Sequence, residues 1–217
     1  MDGLREHFTK EKEFKAERVI AYLLILLFVL VGVRSFLENN SLNVVISVIG
    51  IIFVLGLDWL SKKINKYFIS IFISLINIFL FIAMYLGSIK GFYGIFWWWD
   101  VVAHTLSGVI LSLLGFIIIF ILDQDIDFTD NRKLILSILF SASLGIAGGA
   151  IWEIYEFSAG IFLGLNMQSG GLLDTMKDII SDTVGAIFTS VGFGVYIKIQ
   201  LAEEKDSTRQ ETKPLKD

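Results

Sequence analysis

Six apolar runs, at about 19–37, 42–60, 67–87, 97–122, 133–157 and 176–198, take up most of a 217-residue chain. Each is near the roughly 20 residues that cross the hydrocarbon core of a bilayer. No other feature limits the fold so tightly, because a chain in lipid must satisfy its own backbone hydrogen bonds. The runs lack the strict alternation of barrel strands and are read as helices. The expected fold is therefore all-α: a polytopic bundle of about six transmembrane helices in a single transmembrane domain over 19–200. A cytoplasmic tail at 1–18 precedes it, and a polar, aperiodic tail at 201–217 is expected to be mobile. Composition agrees, with 55% hydrophobic residues and a mean hydropathy of +0.72, above the roughly 45 to 50% apolar usage of soluble domains.

The first run is read as a signal anchor. Residues 1–18 carry Arg5, Lys10, Lys12, Lys15 and Arg18, and the apolar stretch from Val19 ends in Arg34-Ser35-Phe36-Leu37. A cleaved signal peptide would need a shorter apolar core, about 7 to 15 residues, and a small-residue cleavage site. Of the 18 Lys and Arg in the chain, 15 fall in the N-terminal tail, the C-terminal tail and the turns after spans two and four. The positive-inside rule then puts both termini in the cytoplasm. The run Trp97, Trp98, Trp99 together with Trp152 marks the opposite, extracytoplasmic interface, where indoles prefer to sit. A multi-pass protein of the cell membrane is the expectation.

A net charge of -4 without a basic cluster beyond the helix flanks gives no reason to expect nucleic acid as a partner. With no cysteine in the chain, thiolate metal sites, disulfides and cysteine nucleophiles are excluded. Any metal must be held by oxygen and imidazole.

Such groups are present. Span four opens with Asp100 and His104, four residues apart on one helical face; span five ends with Glu153 and Glu156; span six begins with Asp174, Asp178 and Asp182 at four-residue steps. The alternating topology brings all seven to similar depth near the extracytoplasmic surface. Below them the same faces continue in small residues: Gly108 and Ser112, then Ser141, Gly145 and Gly149, then Ala186, Ser190 and Gly194. Small residues at this spacing let membrane helices approach closely, which would turn the ionisable groups inward. Asp100 and Asp174 also fit as solvated carboxylates at helix N-termini. A carboxylate as deep as Asp178 or Asp182 costs more, about 2.5 to 3.5 kcal/mol at mid-membrane on insertion scales.

Six carboxylates and one histidine in one volume, with Lys177 the nearby cation in sequence, repel unless protons are shared or a cation is bound. A divalent metal resolves the charge most simply. Oxygen donors with one imidazole suit Mg, Mn or Zn, and the number of groups leaves room for two ions about 3.5 to 4 Å apart. The expected ligands are Asp100, His104, Glu153, Glu156, Asp174, Asp178 and Asp182, with His104 and Asp178 the candidate catalytic groups. No organic cofactor is indicated.

Three other signals are weaker. Asp123 to Asp130 begins like a calcium loop, but Phe128 stands where Gly is needed and Leu134 where Glu is needed, so it reads as a solvated cytoplasmic loop. Gly170, Asp174 and Asp178 match half of the CDP-alcohol phosphotransferase signature, whose Asp-Gly-x-x-Ala-Arg half is missing. Asp58 beside Trp59 reads as interfacial, and His7 as solvated.

The succession of Trp99, Asp100, His104 and Gly108, then Trp152, Glu153 and Glu156, then Asp174, Thr175, Asp178, Asp182 and Gly185 resembles the YjdF-type bacterial membrane proteins over roughly residues 95–190. That resemblance implies the architecture and the polar constellation; it does not imply a reaction. Three functions fit. The first is a metal-dependent membrane hydrolase or transferase acting on a lipid or lipid-linked phosphate, with membrane lipids as partners. The second is a cation- or proton-handling transporter, against which stand the absence of comparable ionisable groups in the inner halves of spans four to six and of an internal repeat. The third is an accessory protein with a structural metal site.

Overall fold

The computed structural model describes residues 16–64, 67–165 and 170–211, and among these there are helices and no strand. In chain order they are α1 (Ala16–Leu37), α2 (Ser41–Ile64), α3 (Tyr67–Leu80, continued by a π-helical stretch Phe81–Ile89), α4 (Phe92–Ile95), α5 (Trp99–Leu122), α6 (Asn131–Leu163) and α7 (Leu172–Glu211). All but α4 are long and apolar enough to cross a membrane. The side chains that face outward are those lipid would cover, such as Leu23, Leu30, Ile52 and Phe188. The six expected spans are all present, and the protein is a multi-pass membrane protein.

The chain packs as two groups of helices. α1 and α2 form an antiparallel pair with α3 against both, and α5, α6 and α7 pack each against the other two. α3 and its π-helical continuation join the groups by touching α5. Each group has its own apolar centre. Ala21, Leu24, Phe28, Val54 and Leu80 fill the first, and Phe116, Ile126, Phe128, Leu134 and Ile197 fill the second, at the end of α5–α7 away from Trp99.

Close backbone approach explains the second group's shape. A β-carbon added at Gly108 would fall on the carbonyl of Asp182, and one added at Gly185 would fall on the carbonyl of Thr105. α5 and α7 therefore touch backbone to backbone, as the small-residue faces predict. On α6, Gly145 faces the Ala186 methyl, and a β-carbon there would lie 2.6 Å from it.

Two helices run further than their apolar runs. α6 has 33 residues and α7 has 40, lengths of roughly 50 and 60 Å at 1.5 Å per residue, against a hydrocarbon core of roughly 30 Å. α6 continues past Glu156 to a left-handed cap at Gly164 (φ 67°). α7 continues through the polar segment that begins at Ala202, read from sequence as an aperiodic tail. Ala, Glu and Lys there are strong helix formers, and Ser207 Oγ donates to the Glu203 carbonyl at 2.9 Å. Residues 212–217 and the N-terminal tail through residue 15, His7 included, lie outside the described residues.

Asp58, read from sequence as interfacial, lies near the end of α2. It is buried at 7% exposure and accepts a 2.5 Å bond from Lys62 Nζ one turn along α2. The acidic loop between α5 and α6 spends its carboxylates on its own backbone: Asp123 accepts from the Asp125 amide, Asp127 from the Thr129 amide, and Asp130 caps α6 through the Arg132 amide at 2.8 Å. Such bonds are the usual work of Asp in turns and at helix starts.

Candidate functional site

α5 presents Asp100, His104 and Ser107 toward α7, which presents Asp178 and Asp182 one turn apart, while α6 brings Glu153 in from the third side. His104, Glu153, Asp178 and Asp182 are all at most 7% exposed, whereas the Asp100 side chain keeps 37% exposure at the mouth. Asp182 fits because α6 offers it Gly149, where an added β-carbon would fall on the Asp182 carboxylate.

The imidazole is the hub. Its Nδ1 lies 2.8 Å from Asp182 Oδ2, and the other Asp182 oxygen accepts from Ser107 Oγ. A carboxylate with both oxygens so engaged holds the ring in one orientation and draws the Nδ1 proton toward itself. The opposite nitrogen, Nε2, then faces Asp100 Oδ1 at 3.7 Å, Glu153 Oε1 at 3.9 Å and Asp178 Oδ1 at 4.0 Å. These separations exceed the 2.7 to 3.2 Å of a direct N–H···O bond. Two metal–ligand bonds of about 2.0 to 2.2 Å place their donors roughly 3 to 4 Å apart, according to the angle between them. Asp100, His104 and Asp178 each offer one possible ligand atom, and these atoms lie within 4.8 Å of one another.

The seven expected groups thus separate. Asp100, Glu153 and Asp178 converge on Nε2 of His104, and Asp182 lies behind the ring on Nδ1. Glu156 accepts instead from Trp152 Nε1 at 2.9 Å, one turn back on α6. Asp174 accepts from the Gly170 amide at 3.3 Å, where α7 begins.

Two contributors escape sequence reading. Ser107 follows His104 by three residues, a spacing that places it on the same face; its hydroxyl lies 2.9 Å from the His104 carbonyl of its own helix, and its additional reach to Asp182 across the seam has no mark in the sequence. Tyr93, on α4, sends its ring against Gly87 of the π-helical stretch. Burial, and then the negative charge of Asp100, Glu156 and Asp178, raises its phenol above the ordinary tyrosine range. Phe92, Phe96, Trp98 and Trp99 pack ring on ring beside it, with the Phe92 and Trp99 centroids 4.8 Å apart.

An uncharacterised protein of Thermotoga maritima is 29% identical to this chain over 105 residues, which are 48% of this chain and 52% of that protein. The chain therefore spans about half the length of this curated relative. No solved structure matches it. The resemblance to YjdF-type membrane proteins is to the family whose model, described as "Predicted membrane protein (DUF2238)", matches residues 16–198. With that match covering most of the chain and both the tryptophan-flanked histidine and the acidic faces of α6 and α7, this protein belongs to the DUF2238 family of predicted membrane proteins.

Proposed function

We propose that the cluster around His104 is a divalent-metal centre of a membrane-embedded hydrolase or transferase acting on a lipid or lipid-linked phosphate. One observation carries this reading. Nδ1 is committed to Asp182, and Nε2 faces three carboxylate oxygens at 3.7 to 4.0 Å, too far for hydrogen bonds and suited to a shared cation.

Asp100, His104 and Asp178 would hold the ion, as Mg, Mn or Zn, and Asp182 would orient the imidazole and strengthen it as a ligand, as carboxylates behind metal-bound histidines do. Glu153, 3.9 Å from Nε2, would complete the ligand set or serve as a proton acceptor. The ion would supply polarisation of a phosphoryl oxygen and activation of water. Because Glu156 and Asp174 are bonded elsewhere, the proposal is for one ion, not two. Exposed Ile95 and Trp97 beside the mouth favour an amphiphilic substrate that approaches along the interface. The excess of Lys and Arg at the opposite end supports cytoplasmic termini and a site open to the extracytoplasmic side. A continuous ion path is disfavoured by the apolar centre of Phe116, Phe128, Leu134 and Ile197 beyond the site in the same three helices.

Elemental analysis of detergent-purified protein tests the metal. About one equivalent of a divalent ion is expected in the wild type, with loss in folded His104→Ala and Asp178→Ala variants. Wild type that stays metal-free after incubation with Mg, Mn and Zn would overturn the proposal.

A further inference from the structure

Hydroxyls in these helices have a standard partner. Ser47, Ser74, Thr105, Ser137, Ser158, Ser181 and Thr183 each donate to the carbonyl four residues earlier. Ser141 and Ser190 do not: both are 0% exposed, and neither hydroxyl has a partner among the described residues. For Ser190 the cause is visible. Its own back-bonding partner would be the Ala186 carbonyl, which already accepts from Ser112 Oγ across the seam at 3.2 Å.

The register of the seam brings the two hydroxyls to one level. Gly145 of α6 faces Ala186 of α7, and Ile138 faces Gly194. The helices are antiparallel, so Ser141, one turn before Gly145, and Ser190, one turn after Ala186, lie between these two contacts. α5 supplies Gly115 at the same height: a β-carbon there would lie 2.8 Å from Ser141 Oγ. One turn to either side on α5 stand Ser112 and Phe116, both fully buried, and Phe116 belongs to the apolar centre at that end of the three helices.

We infer that a water molecule is bound inside the α5–α7 seam, held between the hydroxyls of Ser141 and Ser190. A hydroxyl left dry in an apolar interior costs free energy that a bridging water recovers, and a buried water needs two to four polar partners. A cation does not fit, since the lining groups named are neutral and the cost of desolvating an ion at this depth is large. The water is independent of any metal at His104.

Thermal unfolding of full-length protein in detergent decides the matter through its sign. A bridged water makes Ser141→Ala and Ser190→Ala each lower the midpoint, by about 2 to 4 °C. The double variant should then lose clearly less than the sum, because the first substitution already releases the shared water. Dry hydroxyls give stabilising substitutions, hydroxyls that turn back to their own helix give neutral ones, and separate partners give additive losses; each of these results overturns the inference. Pulsed X-ray radiolysis of the wild type, which generates hydroxyl radicals in place from bound water, needs no variant. Phe116 and Phe28 are both 0% exposed, but Phe116 adjoins the seam and Phe28 lies in the apolar centre of α1–α3. Modification of Phe116 well above Phe28 is expected, and equal inertness of the two would overturn the inference.

Discussion

At the scale of single residues, the imidazole of His104 divides its carboxylates by the nitrogen they face, and this assigns them different work. Asp182 touches Nδ1 and Ser107, and so acts on the ring. Asp100, Glu153 and Asp178 surround Nε2 and would act on whatever sits there. Replacing Asp182 with Asn keeps its size and removes its charge; replacing Gly149 with Ala pushes a methyl onto the same carboxylate. Under the metal proposal both variants should stay folded and bind the ion about 10- to 100-fold more weakly, as read by competition with a chelator. Unchanged affinity in both would remove Asp182 from the orienting role. The sequence made the pairs legible, since Asp100 with His104 and Asp178 with Asp182 are one turn apart. It could not say which carboxylate meets which nitrogen, because that depends on helix rotation and on depth differences of less than one turn.

At the scale of helices, the glycines divide by what stands opposite them. Gly108 abuts the backbone of Asp182, whereas Gly192, on the same α7 as Asp182, has nothing within 4 Å. Gly108→Ala should cost about 1 to 3 kcal/mol by forcing α5 from α7. Gly192→Ala should be neutral or stabilise by up to about 1 kcal/mol through helix propensity. Unfolding midpoints in detergent compare the two directly, and equal effects would mean that α5 and α7 are not in backbone contact. Six spans were readable because apolar length is a property of the chain alone. The far ends of α6 and α7 were not, since beyond the hydrocarbon core polarity no longer distinguishes helix from loop, and α6 stops at the cap on Gly164. The π-helical stretch after Leu80 left no sequence mark either.

At the scale of the whole molecule, orientation rests on the lysines and arginines and can be tested without interference, because the chain has no cysteine of its own. Leu173→Cys, at an exposed position where α7 begins, should react with a membrane-impermeant maleimide on intact cells. Asp125→Cys, in the loop between α5 and α6, should react only after permeabilisation, and the reverse pattern would invert the proposed topology. The backbone contacts at Gly108 and Gly185 also bear on motion. Helices that meet with no side-chain layer between them cannot slide or tilt without collision, so α5 and α7 are expected to behave as one stiff unit.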